Sequence, residues 1–252
     1  MLLVCNGAQK SGSTWLYNIL TSLVECRSPE RHYLTGNSNN PCIRPDMLAE
    51  FLQSADLGAD NFISKNHLDK PVYRDLLVAN DAAYVFDIER DPKDVVVSMF
   101  YDARNRHGYD RSFSKYYWTH AREMVAGLEA YHALWREAGP RCHVASYEGL
   151  KTDFPAQVRA IAAVLGITLT ESDIDRLHAE TSMDKLRKKY SRDALYTGEK
   201  FFRKGIVGDW ENHFDESTLQ DIESILKSGI RKFDRHHIAY RIRHWLNRRL
   251  GK

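Results

Sequence analysis

Along this chain, short, mainly apolar runs alternate with longer stretches in which apolar residues recur every third or fourth position. The runs read as strands buried on both faces, and the 3.6-residue repeat reads as amphipathic helix. Strands are predicted at Leu2–Cys5, Asn61–Ser64, Ala83–Glu89 and Cys142–Tyr147. The helix after the first strand should run from Ser13 to near Glu25, with Trp15, Leu16, Ile19, Leu20 and Leu23 on its apolar face. A second helix has a clear start, with Asp91 as N-cap, Pro92 at the first helical position and Asp94 in the first turn. Helical periodicity also covers Phe113–Ala138, Phe154–Leu165, Glu171–Glu180 and Glu216–Lys227. This alternation predicts an α/β fold, a central parallel sheet flanked by helices. No repeat, low-complexity tract or linker interrupts it, so a single domain over residues 1–252 is expected. The segment 190–214 departs from the pattern: it is long, carries glycines at 198, 205 and 208, and mixes aromatics with Arg203-Lys204. Loops of this length inside a compact domain usually carry function.

Composition changes this picture little. A content of 43% hydrophobic and 28% charged residues is ordinary for a globular protein. No apolar run is long enough to span a membrane, and the first residues lack the charged head and apolar core of a signal peptide. Cys5, Cys26, Cys42 and Cys142 have no metal-ligand spacing and read as reduced thiols of a cytoplasmic protein. Charge is informative only in its distribution. Residues 231–252 hold eight Lys/Arg and one acid, leaving a net of −5 on everything before them. A general nucleic-acid surface is therefore not expected.

The candidate chemistry begins with GAQKSGSTW, residues 7–15. Gly7 and Gly12 keep the spacing of a nucleotide-triphosphate loop and Ser13-Thr14 follow, but the lysine is Lys10, two residues before Gly12 rather than directly after it. A turn between a strand and a helix N-terminus presents backbone amides and the positive end of the helix dipole to an anion. Ser11, Ser13 and Thr14 add hydroxyls, and Lys10 adds a full charge. A second constellation is RDPKDVVVS: Arg90 at the C-terminal end of a predicted strand, and Ser98 about two turns into the next helix. Together they could hold a second phosphate, with arginine able to bind it bidentately. An Arg90 pairing with Asp91 or Asp94 that only braces the turn is the alternative. A third piece, FFRKGIVGDW, places Phe202, Arg203, Lys204 and Gly205 on the long loop.

These pieces resemble the P-loop sulfotransferases that use 3′-phosphoadenosine 5′-phosphosulfate (PAPS). QKSGSTW is similar to the family's P-K-S-G-T-T-W, Arg90, Asp94 and Ser98 fall in register with R-x-x-x-D-x-x-x-S, and Arg203 to Trp210 meet R-K-G-x-x-G-D-W without exception. The three occur in family order. The resemblance implies a P-loop nucleotide-binding fold in which Lys10, Ser11, Gly12, Ser13 and Thr14 hold the 5′-phosphosulfate and Trp15 stacks on adenine. It further implies that Arg90, Ser98 and the segment Arg203–Gly205 hold the 3′-phosphate, with Phe202 beside them, the 190–214 loop covering the nucleotide. Tyr147, in ASYEGL, matches a tyrosine near the nucleotide, and Thr181, Ser182 and Met183 match an adenine-side T-S-F segment, with Met183 in place of the aromatic. Adenosine 3′,5′-bisphosphate (PAP) would be the product, and no metal would be required.

A base must take the acceptor's proton. Of eleven histidines, His67 in SKNHL matches the catalytic histidine of the family's K-T-H segment, and Lys65 matches its lysine. Asn66 stands where the family has threonine, and Leu68 follows where it usually has proline. The implied mechanism is in-line attack by an acceptor hydroxyl on sulfur, with His67 taking the proton, Lys10 and Lys65 stabilising charge, and Ser98 steering Lys10. Asp87 and Glu89 do not fit, because they alternate along a strand that should be buried and that is usually apolar in the family. An apolar strand ending in acids also suits an ATP–Mg²⁺ small-molecule kinase. A non-catalytic nucleotide-binding scaffold is the third reading.

At the tail, Ile238, Ile242, Trp245, Leu246 and Leu250 form a stripe beside Arg241, Arg243, Arg248 and Arg249. A basic amphipathic helix over 236–252 would either dock on the body or lie on an anionic membrane surface. The acceptor is expected to be a hydroxyl-bearing small molecule, saccharide or lipid-linked molecule. Polar TGNSNNP (35–41) points toward a sugar- or amide-bearing one, and Tyr33, Phe100, Tyr101, Phe113, Tyr116, Tyr117 and Trp118 are candidates for an aromatic pocket or for core.

Overall fold

The computed structural model describes residues 1–35, 40–191, 201–230 and 240–241. Most of TGNSNNP, residues 192–200 of the long loop and nearly all of the predicted tail helix lie outside the described residues. In chain order the elements begin β1 (Leu2–Cys5), α1 (Ser13–Leu23), α2 (Leu48–Ser54), β2 (Phe62–Lys65), α3 (Pro71–Val78) and β3 (Ala83–Glu89). There follow α4 (Pro92–His107), α5 (Phe113–Tyr116), a π-helical turn at Tyr117–Ala121, α6 (Arg122–Arg136) and β4 (Cys142–Ser146). The described chain closes with α7 (Tyr147–Thr152), α8 (Phe154–Val164), α9 (Glu171–Glu180), α10 (Met183–Lys189) and α11 (Glu216–Ser228).

Two compact units emerge from the contacts. The first comprises Met1–Asp91 and Tyr131–Val207 and contains the sheet, four parallel strands in the order β2-β1-β3-β4. Register pairs Cys5 with Lys65 on one side and with Phe86 on the other, so β1 and β3 are the central strands. The chain steps outward from β1 in opposite directions to β2 and to β3. This is the strand-order reversal at which open α/β sheets bind ligands, outside the carboxyl ends. The predicted β2 is displaced by one residue because its pairing runs on to Lys65. β4 ends one residue early because the Ser146 hydroxyl accepts the Gly149 amide at 3.0 Å and caps α7. The sheet's core is Leu3, Cys5, Ile63, Phe86, Ile88 and Ala145 packed against Leu16, Ile19 and Leu20 of α1 and Val158 and Ile161 of α8. Full burial of such side chains stabilises by roughly 1.5–3 kcal/mol each.

The second unit, Pro92–Ala130 and Gly208–Lys252, packs around Val96, Val97, Phe100, Phe113, Tyr117, Val125, Ile222 and Ile225. The continuous helix expected over Phe113–Ala138 is present but is interrupted by the π-helical turn. α11 is tied in by Asp221, which accepts from Tyr117 Oη at 2.7 Å and from Arg122 at 2.8 and 3.0 Å. Phe100, Phe113, Tyr116 and Tyr117 are buried members of this core, so the packing reading holds for these four aromatics. No helix among the described residues is long and apolar enough to cross a membrane.

Candidate active site

The carboxyl ends of β1, β2 and β3 bring together the phosphate-type loop, the Lys65–His67 segment and Arg90. The loop after β1 has unusual backbone geometry. Lys10 is the one non-glycine residue with positive φ among those described, at 67°. Such strain tends to gather at ligand sites. Gly12 is the N-cap of α1 at φ 110°, and no side chain caps the helix. A β-carbon on Gly12 would stand 2.6 Å from a ring carbon of Tyr147, so only glycine lets the turn approach that ring. The Ser11 hydroxyl is fully buried without a hydrogen-bond partner. An uncapped helix N-terminus beside an orphaned hydroxyl fits an anionic ligand. Ser13 and Thr14, also buried, begin the helix.

Arg90 joins three of the predicted segments. Its Nη1 donates to the Lys10 carbonyl at 3.4 Å, its Nη2 donates to the Ile206 carbonyl at 3.2 Å, and its guanidinium lies 4.2 Å from the Tyr147 ring centroid. The Lys10 ammonium sits 3.8 Å over Phe201. Phe202 is buried with Leu186 and Tyr190. Trp15 packs edge-on to Tyr147 at 5.7 Å and donates from Nε1 to Thr181 Oγ1 at 3.3 Å, and the Met183 methyl covers Gly205. Ser182 precedes α10 as its N-cap residue. Arg203 is half-buried and Lys204 exposed. Ser98 is half-buried on α4, in the second unit.

Sequence reading missed three contributors. Arg187 donates to the Phe202 and Arg203 carbonyls at 2.9 and 2.7 Å and so fixes the start of the R-K-G segment. Lys151 lies 5.0 Å over the Trp15 ring, with its pKa lowered by desolvation and then by the Arg90 charge. Asp94 was matched to a motif but given no role; its two carboxylate oxygens accept from the Gly208 and Trp210 amides at 2.8 and 3.1 Å. The D of one motif therefore organises the G-D-W of another. For Asp94 the signal was the motif itself; for Arg187 and Lys151 there was none beyond charge.

Beside β1, Lys65 is buried and donates to Asn40 Oδ1 at 3.1 Å. Desolvation brings its pKa down to about 8. Asn66, the departure from the family's threonine, is buried, accepts from the Ser64 hydroxyl, and donates to the Ile43 carbonyl at 2.8 Å. The turn is thus held without threonine or proline. His67 Nδ1 is hydrogen-bonded to the Gly7 carbonyl. A carbonyl only accepts, so Nδ1 carries the proton and Nε2 of the neutral ring carries the lone pair. Solvent reaches the ring. Protein still encloses its inner side, and this desolvation, followed by the Lys65 charge, lowers its pKa.

Asp87 and Glu89 also find partners. Asp87 Oδ1 accepts from Asn6 Nδ2 at 3.2 Å and from Tyr131 Oη at 3.0 Å, while Glu89 holds Arg136 bidentately at 2.8 and 2.9 Å. His132 lies 3.9 Å from a carboxylate oxygen of each. The three groups cluster closely enough to suggest a cation site. With both Glu89 oxygens committed to Arg136, a charge-paired cluster is the simpler reading.

Comparison with known proteins identifies the family. The model for "Sulfotransferase domain" matches residues 2–235. Sulfotransferase 6B1 of Danio rerio is 25% identical over 236 residues, covering 88% of this chain and 75% of its own. Human Sulfotransferase 1C2 is 25% identical, covering 90% and 81%, and Cytosolic sulfotransferase 17 of Arabidopsis thaliana 26%, covering 86% and 71%. In fold, the chain is similar to mouse sulfotransferase SULT7A1 complexed with PAP, at TM-score 0.70 and 20% identity over 96% of this chain and 88% of that one. Retinol dehydratase, in complex with androsterone and inactive cofactor PAP, superposes at TM-score 0.63 over 92% and 81%. The chain belongs to the sulfotransferase-domain family.

Proposed function

We propose that this protein moves the sulfuryl group of PAPS to an acceptor hydroxyl, releasing adenosine 3′,5′-bisphosphate. The observation that carries the reading is Arg90, whose guanidinium spans the Lys10 and Ile206 carbonyls and so draws the loop after β1 and the R-K-G segment to one sheet edge. Ser11, Gly12, Ser13 and Thr14 bind the 5′-phosphosulfate through helix-end amides and hydroxyls. Arg90, Arg203, Lys204 and Gly205 bind the 3′-phosphate that ATP lacks, and Trp15, Tyr147, Thr181, Ser182, Met183 and Phe202 surround the base.

The chemistry follows from the tautomer of His67. Its Nε2 takes the acceptor hydroxyl proton as the acceptor oxygen bonds to sulfur and the bond from sulfur to the bridging oxygen breaks. A base so placed contributes ~10²–10⁴-fold. Lys10 and Lys65 offset the charge that develops on the bridging and sulfuryl oxygens. No step calls for a metal. Acceptors are hydroxyl-bearing small molecules, saccharides or lipid-linked molecules, and the four cysteines, free in the structure, suit a cytoplasmic setting. Peripheral membrane contact would fall to the tail, outside the described residues.

Calorimetry with adenosine 3′,5′-bisphosphate and with ATP–Mg²⁺ tests the donor site. Tight binding of the bisphosphate with negligible ATP binding is expected, and a preference for ATP–Mg²⁺ would move the kinase reading to first place. His67→Ala should abolish turnover and spare bisphosphate affinity; unchanged turnover would remove His67 from the mechanism.

A further inference from the structure

Two features that departed from the family pattern, an acid at position 87 and a non-proline at position 68, meet in one hydrogen-bond network. From Asp87 Oδ1 one branch runs through Tyr131: its hydroxyl donates to the carboxylate at 3.0 Å and accepts the Gly7 amide at 2.8 Å. The Gly7 carbonyl in turn receives the His67 Nδ1 proton. A second branch runs through Asn6, whose Nδ2 donates to the same Oδ1 at 3.2 Å while its Oδ1 accepts the Leu68 amide at 2.9 Å. A proline at 68 would have no N–H to give. Trp135 closes the far side, donating to the Leu68 carbonyl at 2.9 Å. The acid, Tyr131, Asn6, Gly7 and Trp135 are all buried.

We infer that Asp87 is a positioning residue for His67, holding the imidazole from both sides through Tyr131–Gly7 and Asn6–Leu68. The inference rests on the reading of His67 as the base. Both branches end within one residue of the imidazole, on the carbonyl that fixes its tautomer and on the amide that follows it. Tyr131 is held protonated, its pKa raised by burial and by Asp87, so the direction of the chain is set: phenol to carboxylate, amide to phenol. The acid reaches no reacting atom itself. Its remaining oxygen faces His132 at 3.9 Å, beyond hydrogen-bond reach.

Three variants test this in the full chain: Asp87→Leu, which deletes the acceptor; Asp87→Asn, which keeps Oδ1; and Tyr131→Phe, which cuts one branch and keeps the ring. Asp87→Leu and Tyr131→Phe should lower kcat about 10–100-fold, the scale of a misplaced catalytic group, with bisphosphate affinity within about threefold. Asp87→Asn should recover most of the kcat. Nitrogen-15 NMR of the His67 ring should report a single Nδ1–H tautomer in the parent and in Asp87→Asn, and a mixture in Tyr131→Phe. That readout needs no turnover, so a parent without sulfuryl-transfer activity would undercut the proposed function and leave this test intact. If Asp87→Leu does not fold, Tyr131→Phe and the NMR comparison decide. A kcat within twofold of the parent in Tyr131→Phe, an unchanged tautomer, or parallel loss of kcat and nucleotide affinity would each overturn the inference.

Discussion

Gly12→Ala isolates what the close turn contributes. The new β-carbon would lie 2.6 Å from one Tyr147 ring carbon and 3.2 Å from another and from Ile88 Cδ1. Restoring ordinary contact requires the ring to recede by about 1 Å. It has little room, because Arg90 lies 4.2 Å from its centroid and Trp15 5.7 Å. Overpacking of this kind costs ~1–3 kcal/mol. The left-handed backbone, φ 110°, adds ~1–2 kcal/mol for a residue with a β-carbon. The expected destabilisation is therefore ~2–5 kcal/mol, a large part of the stability of an ordinary domain. Gly166→Ala serves as the reference: its φ is 69° and no atom stands within 4 Å of the added carbon, so only the backbone cost of ~1–2 kcal/mol applies. Urea titration should show a lower midpoint in both variants with the m-value unchanged, and the larger fall in Gly12→Ala. Calorimetry should add a loss of bisphosphate affinity of about tenfold or more in Gly12→Ala alone, since the α1 amides move with the turn. Equal destabilisation by the two substitutions, with equal bisphosphate affinity, would refute the argument that the Tyr147 ring sets the loop's position.

The pH dependence has a worked sign. His67 must be neutral to accept a proton and Lys65 charged to stabilise the transition state, so kcat/KM should rise through a pKa below the usual 6.5 of histidine and fall as Lys65 deprotonates near 8. Lys65→Arg should remove the alkaline limb at some cost in rate, because arginine does not titrate there; a limb that stays belongs to another group. Asp94→Ala leaves the Gly208 and Trp210 amides without their acceptor and should cost about 2–4 kcal/mol by denaturant titration, with Asp94→Asn losing about half as much. A loss below about 0.5 kcal/mol in Asp94→Ala would mean water replaces the carboxylate.

What could be read from the sequence was whatever is encoded by residue type at fixed spacing. The four strands are short, mainly apolar runs, and all four form within a residue of where the pattern places them. By contrast, α2 and α3 were invisible because each buries too little to leave a periodic stripe: Leu48 and Phe51 in one, Leu77 in the other. The motifs pointed to Lys10 and Arg90 but not to the link between them, since Arg90 reaches the Lys10 and Ile206 backbone carbonyls, which every residue carries. Asp87 looked like an error in a buried strand. Its partner Tyr131 is 44 residues away on α6, and a hydrogen bond of that separation leaves no local trace.

The displaced lysine at position 10 has a physical consequence that can be measured. A lysine directly after Gly12 would sit in the first turn of α1 with ordinary helical geometry. Two residues earlier, the side chain starts from the loop itself at φ 67°, where its ammonium lies over Phe201. That backbone costs a lysine ~1–2 kcal/mol and costs glycine almost nothing. Lys10→Ala and Lys10→Gly both remove the charge and the ring contact, so their difference reports the backbone alone. Lys10→Gly should be the more stable by ~1 kcal/mol even after glycine's greater unfolded-state entropy is charged against it. Both should be nearly inactive. If the two unfold at the same urea concentration, the left-handed turn is not strained, and the lysine's position would need a reason other than the reach it gives toward the oxygen between phosphorus and sulfur. If they differ as expected, the loop holds a residue with a strained backbone at a position where the chemistry needs its side chain, the trade-off expected where a side chain is kept for function.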